Sequence, residues 1–286
     1  MTEPLPNASL NFSEDCLDFK AFCDYLQEAS GITLTPGKSY LVSARIRNIM
    51  VSHQMADLSE LTGALKKNDK RLHQEIIDAM TTNETFWFRD DYPFLYFTNS
   101  LLPQWASPDN RESSIKIWSA ACSSGQEPYS LAMLSEEFKE KNVFNKRIEI
   151  LATDLSNAIL QKARQGVFDK LSVDRGLSQQ RLSKFFSETN GHYQEWQVNT
   201  ELKRYIQFRA INLLDSFNSL GQFDIIFCRN VLIYFTRETK SDILKRMHKC
   251  LKPDGYLCLG SSESLAGAKD LFSMVHCKPG IIYQAK

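Results

Sequence analysis

Apolar positions recur at helical spacing through the first part of the chain, to about Met80, and then change character. The periodicity predicts helices over 18–29, 38–51 and 69–80, separated by Gly31, by Pro36-Gly37 and by a polar loop. In the second of these, Val42, Ile46, Ile49 and Met50 share one face, Arg47 points away from it and Arg45 flanks it. From Ile115 onward, short apolar runs alternate with helical segments, which predicts an α/β domain on a mostly parallel open sheet. The predicted strands are 115–121, 148–153, 206–211, 223–228 and 255–259. A C-terminal hairpin of 273–277 and 281–284, turned by Lys278-Pro279-Gly280, adds an antiparallel edge. The stretch 168–204 breaks the alternation. A helix over 177–186 precedes Asn190-Gly191, a hairpin signal among residues rich in Tyr, Trp and Val, so this stretch is read as a small β insertion. The organisation expected is a helical domain over 1–80, a connecting segment over 81–114 and an α/β domain over 115–286.

Composition narrows the class. At 43% hydrophobic and 24% charged, with only 12 Gly and 9 Pro, the chain is a globular protein rather than a low-complexity one. Its 34 Lys plus Arg balance 34 Asp plus Glu, which argues against a protein that coats nucleic acid or lies flat on an anionic membrane and makes any charge selectivity local. The longest apolar candidate, 223–235, is interrupted by Asp224, Arg229 and Asn230, so no membrane insertion is expected. The opening residues show no basic region followed by an apolar run, so no secretory signal is expected either. The 7 cysteines form no C-x-x-C pair, which fits a reduced, cytoplasmic protein. The 5 histidines are too scattered to share a helical turn, so no metal is expected. No acidic residue occurs between Glu28 and Asp57. Lys38, Arg45 and Arg47 therefore form a local basic surface, either a solvated helix face or a dock for an acidic partner.

The chemistry concentrates at strand ends. The first predicted strand runs through Ala120-Ala121-Cys122-Ser123-Ser124-Gly125 into a helix, and such small residues let a ligand approach the backbone. G-x-G-x-x-G and G-x-x-x-x-G-K are both absent, so the loop suits an adenosine-like ligand without a phosphate chain, or is simply a tight turn. Asp154, at the end of the second strand, stands where a carboxylate grips a ribose diol, and equally where it caps the next helix. Thr81 and Glu84 have the spacing of a capping box that would start a helix.

Four motifs occur in order: Thr81-Thr82-Asn83-Glu84-Thr85-Phe86-Trp87-Phe88-Arg89, Ala120 to Ser130, Ala152-Thr153-Asp154, and Phe227-Cys228-Arg229-Asn230-Val231-Leu232-Ile233-Tyr234-Phe235. This set resembles the CheR-type chemotaxis receptor methyltransferases over nearly the whole chain. The resemblance implies transfer of a methyl group from S-adenosyl-L-methionine to glutamate side chains in the cytoplasmic helical region of chemoreceptors, leaving S-adenosyl-L-homocysteine. It implies a cofactor site of Asn83, Thr85, Arg89, Glu127, Asp154, Asn212, Leu213, Asn230 and Val231. Arg89 would orient the substrate carboxylate, and Tyr234 would face the transferred methyl. An acidic receptor target turns Lys38, Arg45 and Arg47 into an expected docking surface, and Tyr193 and Trp196 of the insertion into expected receptor contacts. Ser124 and Gln126 stand where the family often carries Thr and Glu, a change that keeps polarity and size. The alternatives are an S-adenosylmethionine enzyme acting on RNA or a small molecule, and a non-catalytic receptor-binding module. Charge neutrality counts against RNA. The presence of Arg89, Glu127, Asp154 and Asn230 counts against the module.

Overall fold

The computed structural model describes residues 12, 14–67, 69–189 and 194–286. The chain divides into two units that part between Thr82 and Asn83.

The first unit is helical: α1 (Leu17–Ser30), α2 (Ser39–Ser52), α3 (Leu58–Leu65) and α4 (Lys70–Met80). Gly31 ends α1 in the left-handed region at φ 75°, with its N–H donating to Gln27 O. Phe22 and Leu26, Val42, Ile46 and Met50, Leu61, and Leu72 and Ile76 are fully buried, one stripe from each helix. Helix α3 occupies the stretch read as a polar loop. Its start was encoded: the Asp57 carboxylate accepts from Glu60 N–H at 2.9 Å, and Glu60 in turn accepts from Ala56 N–H at 2.8 Å. Thr81 opens no helix with Glu84. It closes α4, donating its N–H to Ile77 O and its hydroxyl to Asp78 O.

The second unit begins with α5 (Tyr92–Tyr96), a π turn (Phe97–Leu101) and α6 (Leu102–Ala106). There follow β1 (Ser114–Ala120), α7 (Gln126–Lys141), β2 (Arg147–Asp154) and α8 (Asn157–Gln165). The insertion holds β3 (Val167–Asp169), α9 (Lys170–Asp174), α10 (Gln179–Phe185), β4 (Phe186–Glu188) and β5 (Glu195–Val198). The chain continues with α11 (Thr200–Lys203), β6 (Ile206–Ala210), β7 (Phe223–Cys228), a 3-10 turn (Leu232–Tyr234) and α12 (Arg237–Lys249). It closes with β8 (Leu251–Leu259), β9 (Phe272–Cys277) and β10 (Gly280–Ala285).

Seven strands form one sheet in the order β6-β2-β1-β7-β8-β10-β9, parallel through β8, with β10 antiparallel to both its neighbours. The fold class read from the sequence is thus borne out, including the C-terminal hairpin and the inserted three-stranded sheet, β3-β5-β4. Asn190, Gly191 and Tyr193 lie outside the described residues. Side chains of the central strand β7 alternate between two cores. Ile225 and Phe227 pack with α7 residues such as Leu131, whereas Ile226 and Cys228 pack with Ile243, Leu244 and Met247 of α12. The turn Lys252-Pro253-Asp254-Gly255 sits inside β8 as an irregularity, since Phe223 pairs with Leu251 and Ile225 with Tyr256. Strand order reverses between β1 and β7, and in such sheets ligands bind beyond the carboxyl ends of the strands at that switch point.

Candidate active site

At the switch point, β1 runs into the Ala121–Gly125 loop and β7 into Arg229-Asn230. Ala121 (φ 58°), Ser123 (φ 51°) and Asn230 (φ 58°) are left-handed although none is glycine. Such strain persists only where neighbours over-determine the backbone. Here Ser123 N–H donates to Asp154 Oδ2 at 2.8 Å, Ser123 Oγ to Asn83 O at 2.8 Å, and Asn230 N–H to Glu263 Oε2 at 2.8 Å. Gly125 has φ 97°, and a Cβ there would stand 3.1 Å from the Tyr129 ring, so the turn into α7 requires glycine.

Asp154 is buried, and its second oxygen accepts from Ser156 N–H at 3.0 Å. The N-cap of α8 is Ser156, whose hydroxyl accepts from Ile159 N–H. Asp154 is therefore not the helix cap. It ties the β1 loop to the end of β2, beside Ile211, whose N–H donates to Asp154 O at 3.0 Å. Beyond β6, Asn212 accepts from Leu214 N–H, while Leu213 is buried and its carbonyl accepts from Arg246.

Arg229 is the charge at the centre. Its side chain is 3% exposed, and it donates to Glu127 Oε2 at 3.0 Å, to Asp90 Oδ2 at 2.9 Å and to the carbonyl of Arg89. The other Glu127 oxygen accepts from Ser119 Oγ at 2.7 Å. Burial alone pushes the guanidinium pKa down, but the Glu127 and Asp90 carboxylates outweigh it and hold Arg229 above the ordinary arginine value. Sequence reasoning gave Arg229 no role. The signal was present, because an arginine directly after a buried strand end must find a carboxylate.

The segment carrying Asn83, Thr85 and Arg89 is clamped from several sides. Phe88 N–H donates to Ser130 Oγ on α7 at 3.2 Å. Trp87 is buried, donates its ring N–H to Ser172 O and its backbone N–H to Arg175 O, and meets Phe168 and Phe186 edge-on. Gly176, at φ 93°, lies so close that a Cβ would fall 2.2 Å from Trp87 O. The insertion thus grips this segment directly. Arg89 is half-buried. It donates one N–H to Glu84 O at 3.0 Å and lies 5.4 Å from the Phe86 ring, which Arg175 also faces at 5.1 Å. Asn83 and Thr85 are half-buried on the same irregular stretch.

Val231 and Tyr234 are half-buried on the turn after β7. Glu263 organises that turn by accepting from the N–H groups of Asn230, Gly260 and Ile233. Nothing in the polar run Ser261-Ser262-Glu263-Ser264 announced this function. The structure therefore joins Asn83, Arg89, Glu127, Asp154 and Asn230 through Ser123, Arg229 and backbone links, with Asn212 beside Asp154.

The basic residues of the first unit separate. Arg45 donates to Met80 O at 2.7 Å, Thr81 O at 3.2 Å and Thr82 Oγ1 at 3.1 Å, satisfying carbonyls at the end of α4. Its guanidinium is thus a structural clamp rather than a free docking charge. Arg47 is exposed and makes no ion pair among the described residues, and Lys38 is half-buried at the N-cap of α2. Among the described residues no helix is long and apolar enough to cross a membrane, and no cluster of His, Cys, Asp and Glu could hold a metal ion.

Residues 17–81 match the family described as CheR methyltransferase, all-alpha domain, and residues 83–281 match CheR methyltransferase, SAM binding domain. The chain is 46% identical over 273 residues to chemotaxis protein methyltransferase Cher2 of Pseudomonas putida, covering 94% of this chain and 98% of that one. It is 46% identical over 271 residues to chemotaxis protein methyltransferase 1 of Pseudomonas aeruginosa, with coverage of 94% and 98%. Against the chemotaxis protein methyltransferase of Escherichia coli it is 32% identical over 259 residues, covering 90% of this chain and 87% of that one. With both domains matched in order around a switch-point site, the chain belongs to the CheR family of S-adenosylmethionine-dependent chemotaxis methyltransferases.

Proposed function

We propose that this protein methylates glutamate side chains in the cytoplasmic helical region of chemoreceptors, forming glutamate methyl esters. The observation that carries the reading is Arg89. It is a guanidinium with one N–H committed to Glu84 O, its main chain fixed by the buried Arg229, at the edge of the switch-point site.

The residues present fit S-adenosylmethionine. The β1 loop is small and bent by left-handed residues, and it is bonded to the buried carboxylate of Asp154 and leads into the half-buried Glu127. In this reading Glu127 receives the cofactor ammonium and Asp154 the ribose hydroxyls, with Asn83, Thr85, Asn212, Leu213, Asn230 and Val231 completing the pocket. The bound cofactor supplies a methyl group already activated on a sulfonium.

A glutamate carboxylate is ionised at neutral pH, so it attacks without losing a proton and needs no base. The work left to the protein is alignment, exclusion of water and charge matching, which can supply up to roughly 7–11 kcal/mol in favourable cases. Arg89 holds one carboxylate oxygen and leaves the other as nucleophile, because gripping both would stabilise the ground state. Tyr234, half-buried on the turn after β7, would face the transferred methyl and help keep water from it. Arg47, with Lys38, offers an exposed charge for an acidic receptor surface, and Trp196 of the insertion a further contact. The protein works in the cytoplasm, where those receptor helices lie.

Incubation with methyl-labelled cofactor and receptor fragments tests the reading. Label that alkali releases from glutamate is expected. Alkali-stable label, or none, overturns it.

A further inference from the structure

The turn that carries Tyr234 also forms one wall of a second feature. Beside it the surface opens into a groove of about 370 Å³ between this turn, the start of α12 and the loop 262–269. Three cations line it, Arg237, Lys240 and Lys269, and none of them makes an ion pair among the described residues. The one carboxylate in the lining is Glu263, whose oxygens accept backbone N–H groups of Asn230, Gly260 and Ile233. Ile233, next to Tyr234 in the chain, also lines the groove with an apolar side chain left 49% exposed. An unpaired cationic groove with an apolar lip suits an amphipathic, acidic helix.

The groove is held in place relative to the reacting centre. Arg237 and Lys240 are one helical turn apart on α12, which Ile243, Leu244 and Met247 anchor in the core. Glu263 lines the groove and also holds the Asn230 turn, linking the two through one side chain.

We infer that this groove is a docking surface for the substrate helix, taking the acidic side chains that flank the target glutamate. The inference rests on the glutamate-methylation reading. A helix that presents one glutamate to the site carries its neighbours at three, four and seven residues on the same face, about 5–10 Å along the axis. Carboxylates there meet Arg237, Lys240 and Lys269. Methylation of a flanking glutamate removes the charge the groove holds, so an unmethylated helix binds better than one already esterified nearby.

The test uses the full chain with Lys240→Glu and Lys269→Glu together, and a milder Lys240→Gln, Lys269→Gln pair as a folding control. The expected result is a receptor-fragment KM raised by about 3- to 10-fold in the reversed variant and less in the neutral one. S-adenosylhomocysteine affinity by calorimetry and melting temperature should stay at wild-type values, and added salt should slow the reversed variant less than wild type. A fragment with glutamine at the flanking positions should blunt the difference between wild type and variant. If wild type forms base-labile ester while both variants keep its KM, the groove assignment is wrong and the methylation reading stands. If wild type forms no ester with any receptor fragment, the methylation reading falls and takes the groove with it.

Discussion

Arg229→Met keeps side-chain length and removes the charge from a position only 3% exposed. Its partners are unequal. The Glu127 side chain is 12% exposed and the Asp90 side chain 26%, so Glu127 is left the more stranded when the guanidinium goes. Removing one member of a buried pair costs about 3–5 kcal/mol, because the survivor stays charged in a poor solvent. Asp90 recovers part of its share through hydration, which places the expected loss near the lower end, about 3 kcal/mol. The Arg89 carbonyl also loses a donor, so the segment that carries Arg89 should loosen. All 4 tryptophans, Trp87, Trp105, Trp118 and Trp196, belong to the second unit, so their fluorescence in urea reports on that unit alone. Calorimetry with S-adenosylhomocysteine gives the second readout, and a weaker affinity is expected. Adding Glu127→Gln in the same chain removes the stranded charge and should return at least about 1 kcal/mol of stability. A stability loss under about 1 kcal/mol with unchanged affinity would show that Arg229 does not hold this site together.

Arg89→Ala should lower turnover by about 10²–10³-fold with little change in urea stability, and Arg89→Lys should recover only part, since an ammonium lacks the planar fork; full recovery by Lys would refute a guanidinium role. Asp154→Ala should weaken S-adenosylhomocysteine binding by on the order of 2–4 kcal/mol, and also lower the melting temperature because Ser123 and Ser156 N–H lose their acceptor. Unchanged affinity with lowered stability would leave Asp154 only its structural bonds. In the first unit, Arg45→Ala should cost about 1–3 kcal/mol in circular-dichroism melts by freeing the α4 carbonyls, whereas Arg47→Glu should raise receptor KM without moving the melt; the reverse pattern would undo the division between them. Hydrogen bonds from His53 and Arg71 hold the Glu75 carboxyl below its ordinary 4.5. That contribution is present above the unfolded value and lost as pH falls through the folded one, so Glu75→Gln should flatten the acid limb of the first unit's stability.

The central strand β7 was legible because burial at every position makes it a nearly continuous apolar run, and it matches its predicted bounds to the residue. Helix α3 was missed because at eight residues it shows barely two turns of period, although Asp57 and Glu60 marked its start. The last parallel strand is predicted to begin only at Gly255, whereas β8 begins at Leu251. Pairing with β7 lets β8 start at Leu251 and absorb the residues between Leu251 and Tyr256 as an irregularity. Arg45 sat correctly beside the apolar stripe of α2, yet its partners are carbonyls at the end of another helix, and no periodicity within α2 can name them.

The same limit governs the site, and there it bears on catalysis. Of the nine non-glycine residues with positive φ among the described residues, six fall on the three segments at the switch point: Phe88, Asp90 and Asp91, Ala121 and Ser123, and Asn230. Ionised groups far away in sequence brace all three segments, the 88–91 segment through the Arg229 guanidinium on Arg89 O and Asp90 Oδ2. Asp154 holds Ser123 across 31 residues and Glu263 holds Asn230 across 33, while Arg229 reaches Glu127 across 102. A reaction that needs no proton transfer gains its rate from placement, and bent backbone held by ionised groups is a means of placement that costs no reorganisation when the substrate arrives. The carboxylates that motif matching assigned to the cofactor therefore have a second duty. Asp154 and Glu127 can meet a ligand reproducibly because backbone amides, a serine hydroxyl and a buried guanidinium already fix them.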